Sequence, residues 1–200
     1  MKAPKSHASN ASDSLNAPDV LSTSGTPTQV PVQTPVLQGF PPVINEYTHT
    51  LILGSFPGAA SLTATQYYAY RQNQFWRLVS ASLGIDLTGL DYEQRLQGLL
   101  AHGIGLWDVF HSCVREGSLD SAIREGKLND FSSLQATHPH LRKLCFNGQT
   151  AGKMATYFQQ RGYQTLILPS SSPAHATRSF ADKLSDWQAG LQASDQLLTN

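Results

Sequence analysis

The sequence predicts an α/β fold: a three-layer α/β/α sandwich around a central four-stranded parallel sheet. Four short apolar runs, at residues 49–55, 104–110, 141–147 and 163–169, alternate with segments of helical spacing. That alternation marks parallel strands joined by crossover helices. The second run, IGLWDVF, is nearly all apolar, as a strand buried on both faces must be. The loops leaving strands one, three and four read GSFPG, NGQ and SSSPAHA. The fold places all three at the carboxyl edge of the sheet, where open α/β folds bind ligands.

Taken in order, residues 1–40 are rich in Ser, Pro, Thr, Ala, Asn and Gln, with no aromatic before Phe40. Such a segment buries too little apolar area to offset its ordering entropy. It is expected to be a disordered, low-complexity tail, with the folded domain spanning 41–200. Pro41 and Pro42 make an irregular lead-in to the first strand, centred on Leu51, Ile52 and Leu53. Phe75, Trp76, Val79 and Leu83 then recur at helical spacing, and Gly84 stops that helix. A second helix runs from Asp91 to Gly103, with Leu96, Leu99 and Leu100 inward. After the second strand, residues 111–129 are polar and loop-rich, with a short helix expected at 121–125. Asp130 is a fitting N-cap for a helix reaching Thr137, which His138-Pro139-His140 ends. The third strand leads into a helix expected at 148–161, ended by Gly162. The fourth strand centres on Leu166, Ile167 and Leu168. A last helix, about 176–191, carries Phe180, Leu184, Trp187 and Leu191 on one face.

Two hundred residues allow one domain of ordinary size. Formal net charge is zero and 14% of residues are charged, so bulk composition shows no basic face. Any contact with nucleic acid must come from a local patch or from backbone amides. Two cysteines, Cys113 and Cys145, are too few for a four-cysteine iron–sulfur or zinc site. Both lie in apolar segments and are expected to be buried free thiols of a reducing cytosol. No apolar run approaches the ~20 residues of a membrane span, and the N-terminus lacks the apolar middle of a secretory signal. The chain is read as cytoplasmic, without cofactor or membrane partner. The histidines show no paired metal spacing, so no metal site is expected.

The first loop combines small residues with Tyr67, Tyr68 and the amide of Asn73, a chemistry suited to a flat, neutral, hydrogen-bonding object such as a nucleobase. These residues belong to a longer pattern: GSFPG (54–58), Gln66-Tyr67-Tyr68, NQFW (73–76), GLWDV (105–109), REGSLDSAI (115–123), FNG (146–148) and LPSSSPAHA (168–176). In order and spacing it resembles the uracil-DNA glycosylase superfamily, most closely its DNA-deoxyinosine (hypoxanthine-DNA) glycosylase branch, over roughly residues 45–192. The resemblance implies an enzyme that cuts the bond between a deaminated base and its deoxyribose, acting on DNA with the base flipped out. The enzyme is read as a monomer and is placed in the cytoplasm, at the nucleoid in a bacterium.

Many members of the superfamily place an Asp or Asn in the first loop to hold the attacking water. Here Phe56 stands at that position, within the base pocket, and the resemblance passes the role to Asn73. The competing role for Asn73 is a helix N-cap; the two are compatible. Relatives also carry a stacking aromatic five residues before the Asn, which points to Tyr68, with Tyr67 as competitor. Asn147 ends the third strand and can donate and accept at once, as the amide-like edge of hypoxanthine or uracil requires. It also reads as a turn residue before Gly148. His175 is a donor to the base or to a phosphate, or a cap on the last helix. For the DNA strand itself the expected contacts are Gly54, Ser55, Pro57 and Gly58 of the first loop and Ser170, Ser171 and Ser172 of the last, through hydroxyls and backbone amides. Pro173 and Ala174 form a small wedge. Arg115 contacts phosphate or braces the loop by pairing with Asp120. Asp108, inside an apolar strand, needs a partner if buried; it supports the rim from behind or acts as a general base. No lysine lies in the rim loops, and a bifunctional glycosylase-lyase needs an amine nucleophile, so a monofunctional enzyme is expected.

Other readings keep the fold. Base choice among hypoxanthine, uracil and xanthine rests on one or two hydrogen bonds. A nucleotide-binding module is disfavoured by the lack of G-x-G-x-x-G or Walker spacing, and a serine hydrolase by the lack of a G-x-S-x-G elbow. A scaffold that binds deaminated DNA without cutting it remains a rival.

Overall fold

The computed structural model describes residues 34–192. In chain order its elements are β1 (Val36–Gln38), β2 (Thr50–Gly54), α1 (Ala59–Ala64), α2 (Phe75–Leu83), α3 (Tyr92–Ala101), β3 (Ile104–Asp108), β4 (Phe110–Val114), β5 (Arg124–Leu128), α4 (Leu134–Thr137), β6 (Lys143–Asn147), α5 (Gln149–Gly152), α6 (Ala155–Gln159), β7 (Gln164–Leu168) and α7 (Phe180–Gln192). A 3-10 turn occupies Asp120–Ala122.

The apolar runs form the expected sheet. Its order is β3-β2-β6-β7, and every neighbouring pair is parallel. β2 is buried along its whole length because both faces are covered. Ile52 packs with Phe75, Leu78 and Val79 of α2, Leu99 of α3 and Trp187 and Leu191 of α7. Leu51 and Leu53, alternating with it, pack with Leu134 of α4, Ala151 of α5 and Phe158 of α6. These two cores make the three layers. The connection from β2 thus runs over one face and that from β6 over the other. The crevice between two neighbouring strands whose connections diverge is where α/β sheets bind ligands.

Helix ends follow the sequence where a cap is local. Asp91 accepts from the Gln94 amide in a capping box, and Gly84 closes α2 at φ 70. Other expectations need correction. Residues 1–33 of the expected tail lie outside the described residues, but Val36–Gln38 is a strand, antiparallel to β4. The run 104–110 is interrupted at Val109: where β2 ends at Gly54, the chain leaves the parallel sheet and β4 enters a second sheet of order β1-β4-β5. The helix expected at 121–125 is a 3-10 turn followed by β5. Asp130 accepts from Ser132 within a turn, and the helix begins only at Leu134. The helix at 148–161 is two short helices, broken after Gly152. A Cβ there would lie 2.8 Å from Ile167 Cδ1. The last helix starts at Phe180, where Ser179 and Asp182 cap each other.

Candidate active site

The carboxyl ends of β2, β3, β6 and β7 open into one cavity of about 900 Å3. Its wall includes residues 54–58, the tyrosine loop, Asn73, Asp108, residues 147–150 and residues 167–175. The three rim loops therefore meet at one place.

The first loop is its floor and is braced from beneath. Gly54, Ser55, Phe56 and Pro57 are buried, and only Gly58 is partly exposed. The Ser55 hydroxyl donates to Asp120 Oδ1 at 2.6 Å. Arg115 is 4% exposed. Its Nη2 donates to the Pro57 carbonyl, and its guanidinium lies 5.1 Å above the Phe56 ring. Arg115 consequently holds the loop from inside and is not a phosphate contact. Its expected partner Asp120 is engaged by Ser55 instead. Gly54, Ser55 and Pro57, expected to meet the DNA strand, have little exposed surface and line the cavity. Ser118 accepts from the Ala59 amide at the start of α1.

The two tyrosines separate cleanly. Tyr67 is 3% exposed, donates to the Pro41 carbonyl and meets Phe40 edge-on at 5.2 Å. It belongs to the core and also lines the cavity. Tyr68 takes the left-handed conformation, φ 56, which a bulky residue adopts only under constraint. That reversal lays its ring flat on Phe75, with centroids 3.7 Å apart and planes 9° from parallel. Burial, and then the neighbouring Asp108 carboxyl, push both phenols above their ordinary range.

Asn73 lines the cavity while its Oδ1 accepts from the Phe75 amide at 2.9 Å. The N-cap of α2 is Gln74; Asn73, one residue before it, holds the first helical amide from an Asx turn, and one lone pair of its oxygen stays uncommitted. Asn147 is more fully committed. Its Nδ2 donates to Tyr68 Oη at 3.1 Å and to Ser171 Oγ at 2.8 Å, and its Oδ1 accepts from the Ser171 amide at 2.8 Å. Both its donors are spent on the rim, so it brackets the rim in this structure, while its Oδ1, with one bond shown, lies in the cavity wall.

The last loop divides. Ser171 is fully buried, and its carbonyl accepts from Gln74 at the start of α2, so it is structural. Ser170 accepts from the Ser172 amide and Ser172 from the Ala174 amide. These turns present Pro173 and Ala174 as exposed residues at the mouth. His175 lines the cavity with its Nδ1 buried and unpartnered. It does not cap α7, since Ser179 does. Gly148, at φ 98, lies so close to Ser170 that a Cβ would meet it at 3.1 Å.

Residues the sequence reading placed elsewhere, or did not single out, complete the wall. Tyr70, 49% exposed, and Leu119, 56% exposed, stand at the mouth. Asp108, 3% exposed, lies within it. Both cysteines are buried and free, and burial pushes the Cys145 thiol up to about 12. Among the described residues no cluster of three His, Cys, Asp or Glu could hold a metal, and no described helix is long and apolar enough to cross a membrane.

Comparison with known proteins agrees with this geometry. The family model described as the Uracil DNA glycosylase superfamily matches residues 41–191. A protein named Hypoxanthine DNA glycosylase from Methanosarcina acetivorans is 45% identical over 154 residues, 77% of this chain and 97% of that protein. Another of the same name from Methanosarcina barkeri is 45% identical over 150 residues, 75% of this chain and 94% of its own length. A solution NMR structure from M. acetivorans, described as a candidate uracil DNA glycosylase, matches with a TM-score of 0.73 and 43% identity, covering 80% of this chain and 99% of that one.

Proposed function

The chain belongs to the uracil DNA glycosylase superfamily, and from that premise we propose that it is a monofunctional DNA glycosylase that releases hypoxanthine from deoxyinosine and leaves an abasic site. The names of the relatives support the reaction and the base. The observation that carries it is the pairing, in one cavity, of a fixed aromatic platform with an amide that keeps a free lone pair. Tyr68, backed by Phe75, offers a ring for the flipped base to stack on, an interaction of about 1–3 kcal/mol. Asn73 Oδ1 accepts a hydrogen bond from a water and aims that water at the sugar. An amide is no base, so the reaction is dissociative. The C1′–N9 bond breaks with its electron pair leaving on the base, and the positive sugar carbon then takes the water, whose proton passes to solvent. Around the mouth, Tyr70, Leu119 and Pro173 present apolar surface to the neighbours of the extruded nucleotide, and the backbone amides of the last loop serve the phosphates.

No lysine lines the cavity among the described residues. Lys183 is buried, donates to Gln74 Oε1 at 3.1 Å and is held below its ordinary pKa by burial. It is not among the wall residues. Strand cleavage should therefore require added alkali or amine. The test incubates the full chain with duplexes carrying one deoxyinosine, deoxyuridine or deoxyxanthosine, with and without alkali. Alkali-dependent cleavage at inosine is expected. Cleavage without alkali overturns the monofunctional assignment, and cutting at uracil alone overturns the base assignment while leaving the family intact.

A further inference from the structure

Asp108 is an ionisable group in the cavity wall that stands beside Tyr68 and has no part in the chemistry proposed for Asn73. It ends β3 in register with Gly54, the last residue of β2. A Cβ on Gly54 would lie 2.4 Å from Asp108 Oδ1 and 3.1 Å from Tyr68 Oη. The missing side chain of Gly54 is what admits the carboxyl group beside the aromatic platform. The side chain is 3% exposed, it lines the cavity, and its Oδ2 is buried without a hydrogen-bond partner.

The groups facing it come from four places. Tyr67 and Tyr68 face it from the tyrosine loop, Tyr92 from α3, Arg115 from just beyond the end of β4, and Asp120 from the 3-10 turn. Arg115 forms no ion pair with it, being turned to the Pro57 carbonyl and the Phe56 ring. An unpaired buried carboxylate is costly, and the group responds by staying protonated. Burial, and secondly the charge of Asp120, raise its pKa to about 8 against the opposing pull of Arg115. A neutral carboxylic acid is a donor, which a carboxylate is not.

Both N–H groups of Asn147 are spent on Tyr68 and Ser171. Deamination turns an amino group, a donor, into a keto oxygen, an acceptor. We propose that Asp108, as the neutral acid, is a specificity-determining residue that donates a hydrogen bond to the keto oxygen of the flipped base. The proposal rests on the reading that this cavity receives a deaminated base. It explains rejection of the parent adenine, whose amino group would leave the buried donor unpaired.

The test measures single-turnover base release from a deoxyinosine duplex across neutral and alkaline pH, for the full chain and for Asp108→Asn and Asp108→Leu. In the wild type, release falls as pH rises through about 8 and the donor is lost. Asp108→Asn keeps an N–H donor that never ionises, so its alkaline fall moves to higher pH or disappears. Asp108→Leu loses about tenfold on inosine, the effect of one hydrogen bond, at every pH below that limb. An alkaline fall at the same pH in Asp108→Asn as in the wild type overturns the proposal, whatever the stability of the leucine variant. A wild type that releases no base at any pH overturns the functional reading itself, and the two failures are thereby distinguished.

Discussion

Asn73 is asked to do two things with one oxygen. It accepts from the Phe75 amide at the start of α2 and, on our reading, holds the attacking water. The two duties separate by substitution. Asn73→Ala should cost about 1 kcal/mol of stability, the usual loss for one such hydrogen bond, and Asn73→Ser should recover most of that in a thermal melt without recovering base release. Asn147 makes the opposite case. A residue that only read the base would matter little to the empty protein, whereas the bracket seen here ties Tyr68 to Ser171. Asn147→Ala should destabilise the unliganded chain by about 1–3 kcal/mol, because the Ser171 amide is left unpaired; an unchanged melt would contradict the bracket. The sequence was legible here in part. It pointed to Tyr68, with Tyr67 as competitor, and to Asn73 and Asn147, all of which line the cavity, but that Tyr68 stacks on Phe75 depends on a left-handed φ that no residue type announces. Asp108 was visible as a lone acid in an apolar strand. Its lack of an ion pair was not, since the sequence shows that a buried acid needs a partner but not whether one reaches it.

At the scale of elements, the strand–loop–helix unit from β2 to α2 positions the chemistry, and its loop is rigid because its polar groups are answered from below by Arg115 and Asp120. Gly54→Ala tests that packing directly. The new Cβ would sit 2.4 Å from Asp108 Oδ1, so the variant should lose about 1–3 kcal/mol, read by denaturant unfolding, and most of its activity. Wild-type stability would show that the carboxyl moves aside freely. The four parallel strands were legible because burial on both faces writes an apolar run. β5 was not. Its sequence, REGKL, is exposed at every position, so it carries no apolar period, and its place is set by pairing with β4. The same holds for β1, three residues long, whose composition matches the polar segment before it.

Across the whole molecule, formal net charge is zero and Arg178 in the cavity wall is paired with Asp186, and the titration of one buried acid shapes stability. Asp108 has a folded pKa raised from 3.8 to about 8. Its contribution is full below the unfolded value and is lost progressively as pH rises from about 4 to about 8. Wild-type stability should therefore fall relative to Asp108→Asn over that window, in melts at matched ionic strength; a constant difference would place the carboxylate in water. The most direct test of the central claim is the amount of free hypoxanthine released by the full chain, in excess over a duplex with one deoxyinosine, beside Asn73→Ala. The account predicts stoichiometric release by the wild type and a loss of about 100-fold or more in the variant. Tight binding of that duplex by a folded wild type with no hypoxanthine released would contradict it.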